Sequence, residues 1–322
     1  MKQTRLSRPK LSIVSTLYRS ENSLREFCLR ATNVARSGGE SFEIILVNDG
    51  SPDDSLNRAL DLQKEIPELV IIDLVRNFGH HPAILAGIAQ TQGDEIFLID
   101  SDLEEEPEWL TRFQEAMETN KADVVFGQQT FRKGRTIERI SGTIFYTIFN
   151  LFSATKLPTN FVTARLMKRA YVEALMQYRE RELYLGGVFV LAGFKQLSVS
   201  VKKGTRGCTS YTFGRRIRLF VNALTSFSNR PLEIVFAVGS CVTLIAFFAV
   251  CYIFYRGLRG ETLVGWASVM VTIWLFGGLT MLALGLIGIY VGKILMEVKQ
   301  RPLYSIRAIY RVKNLRHEIV TD

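Results

Sequence analysis

The chain has 322 residues, of which 48% are hydrophobic and 22% are charged; this composition excludes a disordered protein and suits about two domains. Its 40 Lys and Arg outnumber 31 Asp and Glu, for a net charge of +9, which favours an anionic partner such as nucleic acid, phospholipid headgroups or a phosphorylated substrate. The four cysteines are far apart and form no Cys-x-x-Cys pair, so neither a disulfide framework nor a zinc site is indicated, and a reducing compartment is expected.

Five apolar runs in the N-terminal part of the chain are predicted to be β-strands. They span residues 11–16, 42–48, 70–73, 95–100 and 122–127. Predicted helices separate them at residues 22–36, 53–64, 82–92 and 107–119. This alternation predicts an α/β fold with a mostly parallel sheet and right-handed crossovers. Such sheets bind ligands at the carboxyl ends of their strands.

Polar residues follow each of the first four predicted strands, at the edge where a ligand is expected. They are Tyr18 and Glu21, then Asp49-Gly50-Ser51, then the segment from Arg76 to His80, and then Asp100-Ser101-Asp102. Neither Gly-x-Gly-x-x-Gly nor the P-loop pattern occurs, so the sequence supports neither a Rossmann dinucleotide site nor a P-loop. We therefore expect a bound nucleotide to be held in another way.

Asp100 and Asp102 form a candidate metal site. Two carboxylates one residue apart, directly after an apolar strand, can share a divalent cation with a diphosphate. Glu104 and Glu105 follow and add further oxygen ligands. Hard oxygen ligands favour Mg²⁺ or Mn²⁺ over zinc. A solvated turn is the alternative interpretation of an isolated Asp-x-Asp pair, but the position after a buried strand favours the metal.

Two uncharged segments, residues 234–255 and 263–292, are predicted to cross a membrane as a helical hairpin. Each exceeds the roughly 20 residues that a helix needs to span a bilayer core; a pair of buried core helices is the alternative. Basic residues flank the hairpin on both sides, whereas the connecting loop carries only Arg256 and Arg259. The positive-inside rule then predicts a multi-pass protein of the cytoplasmic (inner) membrane, with both termini and the catalytic domain in the cytoplasm.

The basic charge is therefore expected at the membrane surface, and nucleic acid is not expected as a partner. Residues 1–10 are polar and basic, so no signal peptide is expected. Gly285, Gly288 and Gly292 form a stripe of small residues that allows close helix contact, either within the hairpin or in a homo-oligomer.

Residues 211–231 are predicted to form an amphipathic juxtamembrane helix, because apolar residues recur among charges at nearly helical spacing. A solvated helix packed on the globular domain is the alternative. The predicted organisation is a cytoplasmic catalytic domain at 1–210, this helix at 211–231, two transmembrane helices at 232–292 and a basic cytoplasmic segment at 293–322.

The order of several short motifs resembles that of the polyprenyl-phosphate glycosyltransferases of glycosyltransferase family two, the group of dolichyl-phosphate mannose synthase and the bactoprenol glucosyltransferases. The motifs are Glu43-Ile-Ile-Leu-Val-Asn-Asp-Gly-Ser51 with Asp53, Arg76-Asn-Phe-Gly-His80, Asp100-Ser-Asp-Leu103 with Pro107-Glu108, Gly193-Phe-Lys-Gln196, Ser226-Phe-Ser228 with Pro231-Leu232, and Arg301-Pro302-x-Tyr304. The resemblance covers nearly the whole chain. It implies a GT-A nucleotide-sugar-binding domain that moves one sugar from a nucleotide donor to a polyprenyl phosphate at the membrane.

The resemblance also implies roles for individual residues. The implied donor-nucleotide residues are Tyr18, Glu21, Asp49, Arg76 and Asp100, with Asp49 at the base. The implied metal ligands are Asp102, Asp100 and Glu104. The implied acceptor-phosphate residues are Arg132, Arg165, Lys203, Arg206, Ser210 and Tyr211. Asp100, Asp102, Arg165 and Arg206 are the implied catalytic set, whereas His80 is expected to order a loop.

Two single positions depart from the family pattern, as does the first loop, which reads Ser15-Thr-Leu-Tyr-Arg-Ser-Glu21 instead of a Pro-x-Tyr-Asn-Glu form. Thr163 stands where the family usually has an aspartate, so a carboxylate that could contact the sugar is missing. Gln129 stands where many members have an arginine near the phosphates, and Arg132 is the candidate substitute. These departures leave the identity of the sugar open.

The expected reaction is attack by a lipid phosphate oxygen on the anomeric carbon, with inversion. UDP-glucose is the first choice of donor, before galactose, an amino sugar, aminoarabinose or mannose, and undecaprenyl phosphate is the expected acceptor. The product would reach a surface polysaccharide or lipid through a flippase. Three other classes are the alternatives: a processive polysaccharide synthase, whose Gln-x-x-Arg-Trp motif is missing here; a nucleotidyltransferase, which needs no membrane helices; and a non-catalytic membrane scaffold with a degenerate nucleotide domain.

Overall fold

The structure is a computed structural model that describes residues 8–129, 160–178, 185–204, 230–259 and 265–312. These residues fall into two compact units. The sheet unit contains the described residues up to 204 together with 301–312, and the helical unit contains 230–259 and 265–300. The C-terminal end of the described chain therefore belongs to the same unit as the N-terminal strands.

The sheet unit alternates strands and helices over most of its length. Its strands are β1 (Leu11–Leu17), β2 (Phe42–Asn48), β3 (Leu69–Leu74), β4 (Glu95–Leu98), β5 (Val124–Gln129), β6 (Phe161–Lys168), β7 (Gln196–Val201) and β8 (Ile306–Arg311). Its helices are α1 (Leu24–Ser37), α2 (Ser55–Glu65), α3 (His80–Ala89), α4 (Trp109–Asn120), α5 (Arg169–Leu175) and α6 (Leu185–Leu191).

Within the described ranges, these strands form one sheet in the order β7-β5-β6-β4-β1-β2-β3-β8. The central strands β3, β2, β1 and β4 are parallel to one another. Strand β6 runs antiparallel between β4 and β5, and β8 runs antiparallel along the outer edge of β3. The predicted α/β fold with a mostly parallel sheet is confirmed, whereas β6, β7 and β8 were not predicted.

The central strands are continuous apolar runs because both faces of the sheet are covered. Every residue of β3 is buried, as is every residue of β2 after Phe42. This pattern is typical of a parallel strand between two helical layers. The parallel direction places the carboxyl ends of β1 to β4 along one edge of the sheet, where the candidate site lies.

The helical unit contains two long helices, α7 (Arg230–Leu258) and α8 (Trp266–Val298), at the positions of the predicted hairpin. Within the described residues, Leu275–Val298 is long and apolar enough to cross a membrane, and Leu232–Val242 is a shorter apolar stretch. Membrane association through α8 is supported by this composition. Passage of both helices through the membrane, and the side on which the termini lie, stay predictions.

Parts of the predicted organisation lie outside the described residues, including positions 211–229 of the juxtamembrane helix. The described part of the predicted C-terminal segment, residues 293–312, contains the end of α8 and the edge strand β8. A strand therefore stands where the sequence suggested only a basic tail.

Candidate active site

Asp49 joins the loops that follow β2 and β3. Its side chain is buried, and its two carboxylate oxygens accept the backbone N–H groups of Phe78 (2.7 Å) and Gly79 (3.0 Å). The side-chain amide of Asn77 donates to the Asp49 carbonyl oxygen over 3.0 Å. Burial raises the pKa of Asp49, and the two N–H donors offset part of that rise. The residue predicted to recognise the base thus also fixes the loop after β3.

Gly50 allows these two loops to touch. Its φ angle is +57°, and a Cβ atom at this position would lie 2.5 Å from the backbone nitrogen of Asn77 and 2.7 Å from the carbonyl carbon of Arg76. Both the left-handed conformation and the close approach exclude larger residues. The backbone on either side of Asp49 is therefore closely packed against the 76–79 loop.

The loop after β1 is tied to the loop after β2. The hydroxyl of Ser51 accepts the N–H of Arg19 over 2.8 Å, and the carboxylate of Asp53 accepts the N–H of Glu21 over 3.2 Å. The Glu21 carboxylate in turn pairs with Arg58 of α2 at 3.2 Å. The structure therefore engages the predicted nucleotide residue Glu21 in holding the loops together.

Tyr18 and Arg76 are the exposed members of the predicted donor set. Tyr18 is 48% exposed, and the guanidinium of Arg19 lies 5.8 Å from its ring centre. The guanidinium of Arg76 stacks over the ring of Phe78 at 4.2 Å. An aromatic ring and a cationic group are thus accessible at the carboxyl edge of the sheet.

Asp100 follows β4 and meets the first helical turn of α3. Its Oδ1 lies 3.5 Å from Nε2 of His80, whose Nδ1 lies 3.2 Å from the hydroxyl of Thr16. Because a carboxylate only accepts, we assign the ring proton of neutral His80 to Nε2, and Nδ1 then accepts from Thr16. The neighbouring Ser101 hydroxyl donates to the Thr16 carbonyl oxygen and contacts the Ser20 hydroxyl. His80 therefore contacts the end of β1 and the loop that follows β4.

Lys203 lies against the loop of residues 100–106, which carries the predicted metal ligands and is called the acidic loop below. Its Nζ is 3.2 Å from Oε2 of Glu104 and 3.7 Å from Oε1 of Glu105, and the N–H of Gly204 donates to the Glu104 carbonyl oxygen over 2.7 Å. The N–H of Glu104 donates to Asp102 Oδ1 over 2.9 Å. Burial lowers the pKa of Lys203, but the surrounding carboxylates outweigh this effect and raise it. The acidic loop therefore stabilises a positive charge.

Glu105, which the sequence suggested as a further oxygen ligand beside Glu104, is a buried member of the acidic loop. Its Oε1 accepts the N–H of Thr163 over 3.0 Å, and Oε2 has no hydrogen-bond partner within the described part of the chain. Burial, with the charge of Asp100, raises the pKa of Glu105 to about 8. The run Glu104-Glu105-Glu106 gives no signal of which side chain turns inward.

Arg165, predicted at the acceptor phosphate, lies inside the protein. It sits in β6 with 3% of its surface exposed, and its guanidinium stacks on the ring of Phe189 at 3.4 Å. Its Nε donates to the Thr163 carbonyl oxygen over 3.2 Å. Burial lowers the pKa of Arg165 to about 10. Direct contact with an acceptor would require the guanidinium to be exposed, so that role stays a prediction.

The remaining predicted acceptor residues, Arg132, Arg206, Ser210 and Tyr211, lie outside the described residues. Of the two family departures, Gln129 ends β5, and Thr163 lies in β6, where its N–H is bound by Glu105. The described residues thus bring together the donor and acidic parts of the predicted site, with Lys203 beside them.

Residues 12–176 match the protein-family model described as glycosyl transferase family 2. The chain belongs to glycosyltransferase family 2. The matched segment contains β1 after its first residue and the whole of β2 to β6, and therefore the loops that follow β1, β2, β3 and β4.

Relatives of this glycosyltransferase extend the match over nearly the whole chain. A Mycobacterium tuberculosis protein, provisionally named a glycosyltransferase, is 44% identical over 94% of this chain and 88% of its own length. The Escherichia coli prophage bactoprenol glucosyl transferase homolog is 30% identical over 93% of this chain and 99% of its own length. The bactoprenol glucosyl transferase of Shigella phage SfX is 30% identical over the same shares.

Solved structures of more distant proteins also resemble the chain. One is the glucosyl-3-phosphoglycerate synthase of Mycobacterium tuberculosis in complex with Mn²⁺, UDP-glucose and phosphoglyceric acid, with a TM-score of 0.47, 18% identity, and coverage of 68% of this chain and 79% of that one. Another is Staphylococcus aureus TarS with UDP-GlcNAc, with a TM-score of 0.45, 17% identity, and coverage of 68% and 67%. The family assignment rests on the sequence matches.

The acidic loop of this glycosyltransferase carries the type of ligand atoms that bind divalent cations. Asp100, Asp102 and Glu104 supply carboxylate oxygens, the ligands that suit Mg²⁺ and Mn²⁺, and together with Glu105 they raise the pKa of the Lys203 ammonium. Within the described residues, no group of three or more His, Cys, Asp or Glu side chains is arranged to hold a metal ion. The residues therefore fit a cation in charge and ligand type, whereas the described residues do not place them in the arrangement of a metal cluster.

Proposed function

We propose that this glycosyltransferase transfers one sugar, with inversion, from a nucleotide sugar to a polyprenyl phosphate at the cytoplasmic face of the membrane. The observation that carries the proposal is the full-length similarity to bactoprenol glucosyl transferases, which spans 99% of the Escherichia coli relative. A match of this extent includes the region of the two long helices as well as the sheet unit. UDP-glucose is the proposed donor and undecaprenyl phosphate the proposed acceptor.

The donor nucleotide is proposed to lie along the carboxyl edge of the sheet. Each oxygen of Asp49 already accepts one backbone N–H, and a carboxylate has about four acceptor positions in all. Asp49 can therefore accept from a base while it holds the 76–79 loop. Tyr18 and Arg76 offer an exposed ring and cation for the nucleotide, and Asp100 is the proposed ribose ligand.

Asp102, Asp100 and Glu104 are the proposed holders of Mg²⁺ or Mn²⁺. When bound, such a cation would neutralise charge on the departing nucleoside diphosphate. The acidic loop that carries these residues stabilises the Lys203 ammonium, which supports its affinity for positive charge. Lys203 lies beside the same loop and is proposed to contact a second anionic group, the acceptor phosphate.

The acceptor phosphate is proposed to meet Lys203 together with Arg132, Arg206, Ser210 and Tyr211, while Arg165 supports this region from inside the sheet. A phosphate monoester has a second pKa of about 6, so the nucleophile is largely dianionic at neutral pH and needs no strong general base. His80 is engaged with Thr16 and Asp100, which supports a structural role for it. Positioning of the two substrates and electrostatic stabilisation of the departing nucleoside diphosphate then lower the activation barrier of the transfer.

A donor panel tests this proposal. Purified protein in detergent is incubated with undecaprenyl phosphate, radiolabelled UDP- or GDP-sugars, and Mg²⁺ or Mn²⁺, with EDTA as the control. Label from a single donor in the lipid fraction, lost with EDTA, is the expected result. Transfer that EDTA leaves unchanged would remove the metal from the proposal. No transfer from any donor, with no nucleotide binding by the same sample, would favour the scaffold alternative.

Export of the product, the membrane topology and the packing of the helices are also proposed. The glycolipid product requires a flippase to reach the outer surface, because the transfer is proposed on the cytoplasmic side. The two long helices are proposed to form a membrane hairpin, with both termini cytoplasmic. The glycine stripe of α8 is proposed as a close-packing surface, within the hairpin or between two copies.

A further inference from the structure

We propose that Arg307, on the strand that follows the second long helix, is a positioning residue for the donor loop at Asp49–Ser51. It acts through the side chains of Asp73 and Asn48. This inference rests on the proposed role of that loop in donor binding. It assigns a function at the donor site to a part of the chain far beyond the family match, which ends at residue 176.

A chain of hydrogen bonds connects Arg307 to the loop. Its Nη1 lies 3.1 Å from Oδ2 of Asp73, and Oδ1 of the same carboxylate accepts Nδ2 of Asn48 over 2.7 Å. Oδ1 of Asn48 then accepts the backbone N–H of Ser51 over 3.2 Å. Asp73 is 2% exposed and Asn48 is 4% exposed, so water competes little for the bond between them. The Arg307 side chain is 58% exposed, and its Nη2 also donates to the Val75 carbonyl oxygen over 2.7 Å.

The chain of hydrogen bonds from Arg307 through Asp73 and Asn48 to Ser51 is called the relay below. The chemistry of its groups determines which of them donate and which accept. The Asp73 carboxylate can only accept, so Asn48 must turn its NH₂ group toward Asp73. That orientation leaves the amide oxygen of Asn48 for the N–H of Ser51, next to Asp49 and Gly50. Without Arg307, the buried Asp73 carboxylate would lose its charged partner on β8, which favours reorientation of the side chain. That reorientation would weaken the orientation of Asn48.

Other contacts hold β8 in the sheet, so the relay can be separated from the attachment of the strand. The side-chain amide of Gln63 donates to the carbonyl oxygen of Tyr310 over 2.9 Å. Arg311 donates from Nη2 to the carbonyl oxygen of Gln90 over 3.1 Å. Arg311 is therefore a matched control: it is an arginine on the same strand with a contact to the sheet unit, and it does not reach Asp73 in the described contacts.

Hydrogen exchange on the full-length protein tests the relay without depending on catalysis. The variants are Arg307→Ala, Arg307→Lys and Arg311→Ala, and the readout is amide exchange in peptides that cover residues 48–55. We expect Arg307→Ala to raise exchange there by about fivefold, the factor that corresponds to one lost hydrogen bond. Arg307→Lys should give a smaller rise, because an ammonium still pairs with Asp73, and Arg311→Ala should give none.

Kinetics provide the second readout. With the donor that the panel identifies, Arg307→Ala should raise KM about fivefold and change kcat less than about twofold, because it disturbs binding and not the reacting groups. The double variant Asp73→Asn/Arg307→Ala should be no worse than the more affected single variant, since residues of one relay are not additive.

The outcomes separate the relay from the function on which it rests. Equal exchange in Arg307→Ala and wild type, or an equal rise in Arg311→Ala, would overturn the relay even if the enzyme transfers sugar. Additive effects of Asp73→Asn and Arg307→Ala would overturn it too. Raised exchange at residues 48–55 in Arg307→Ala but not in Arg311→Ala, together with a wild-type protein that transfers no sugar, would uphold the relay and reject the proposed function.

Discussion

At the residue scale, the carboxylates of the acidic loop have different environments. Asp102 accepts a backbone N–H from its own loop, at the candidate cation site. Glu105 is enclosed, with one oxygen bound by Thr163 and the other without a hydrogen-bond partner in the described residues. Asp102 is suited to hold a cation, and Glu105 is suited to hold the loop against β6 through its contact with Thr163. Different consequences follow for their substitution.

Asp102→Ala should abolish transfer while the protein still inserts into membranes. Loss of a metal ligand removes several kcal/mol of charge stabilisation, so a decrease of at least about 100-fold is expected. The measurement is label transfer to undecaprenyl phosphate, with the amount of membrane-bound protein determined in parallel. The control is Asp61→Ala, which removes an exposed aspartate paired with Lys64 on α2 and should leave the rate unchanged. Full activity of Asp102→Ala would rule out the metal role.

Glu105→Gln should change how stability depends on pH. The pKa of Glu105 is raised from 4.5 to about 8 in the folded protein, so the folded state binds more protons than the unfolded state within that window. Stability of the metal-free wild type should therefore fall as pH rises from about 5 to about 8. Glutamine does not titrate and can keep the contact with Thr163. Thermal unfolding in EDTA should show a Tm difference that moves in favour of the variant as pH rises; parallel curves would refute the enclosed-carboxylate account.

At the element scale, the carboxyl-edge loops are held by mutual contact, and Gly50 is where they approach most closely. An added Cβ would lie 2.5 Å from the Asn77 nitrogen. Positive φ costs a non-glycine residue roughly 1–2 kcal/mol, and the forced contact should add about 1–3 kcal/mol. The loops that follow β2 and β3 should therefore tolerate no side chain at this position.

Gly50→Ala should lower Tm and weaken nucleotide binding, whereas Gly39→Ala should lower Tm only slightly. Gly39 is the matched control because its φ is also positive, at +69°, but its Cβ would meet no atom within 4 Å. The difference between the two variants in thermal unfolding measures the cost of the close contact. Equal destabilisation would show that backbone conformation alone accounts for Gly50.

The parallel core of the sheet could be predicted from the sequence because its signals are local. The apolar run of β2 ends at the Asp49-Gly50 turn, and its observed bounds, Phe42–Asn48, match the prediction. The placement of Asp49 and Asp100 at one edge followed from the parallel direction of their strands. For these elements, composition, periodicity and turn residues agree.

The remaining strands and contacts depend on partners that are distant in the sequence. Strand β8 pairs with β3, and Arg307 meets Asp73 across 234 positions. No local pattern distinguishes this segment from a basic tail. The burial of Glu105 and of Arg165 is likewise determined by the packing of β6 next to β4, which the sequence alone did not indicate.

At the scale of the whole molecule, the chain combines a glycosyltransferase sheet unit with a helical unit that contains an apolar segment, Leu275–Val298, of membrane-spanning length. Its side chains are largely exposed in the structure. Exposure of a continuous apolar surface of this kind is unfavourable in water, which supports association of α8 with a bilayer.

The protein should therefore remain in the membrane fraction after an alkaline carbonate wash. A helix that spans the bilayer resists this treatment, whereas a protein bound through basic surface charge is released as its lysines deprotonate. The measurement is the share of protein in pellet and supernatant, with a high-salt wash for comparison. Release of most of the protein by carbonate would contradict a spanning helix.

The central claim is that a lipid phosphate receives the sugar. The most direct measurement follows label from the identified donor into lipid, with undecaprenyl phosphate and undecaprenol as parallel acceptors, and quantifies the nucleoside diphosphate released. We expect label only with the phosphorylated lipid, with one nucleoside diphosphate released for each sugar transferred. Equal labelling of undecaprenol, or nucleoside diphosphate release that does not depend on the lipid phosphate, would contradict it.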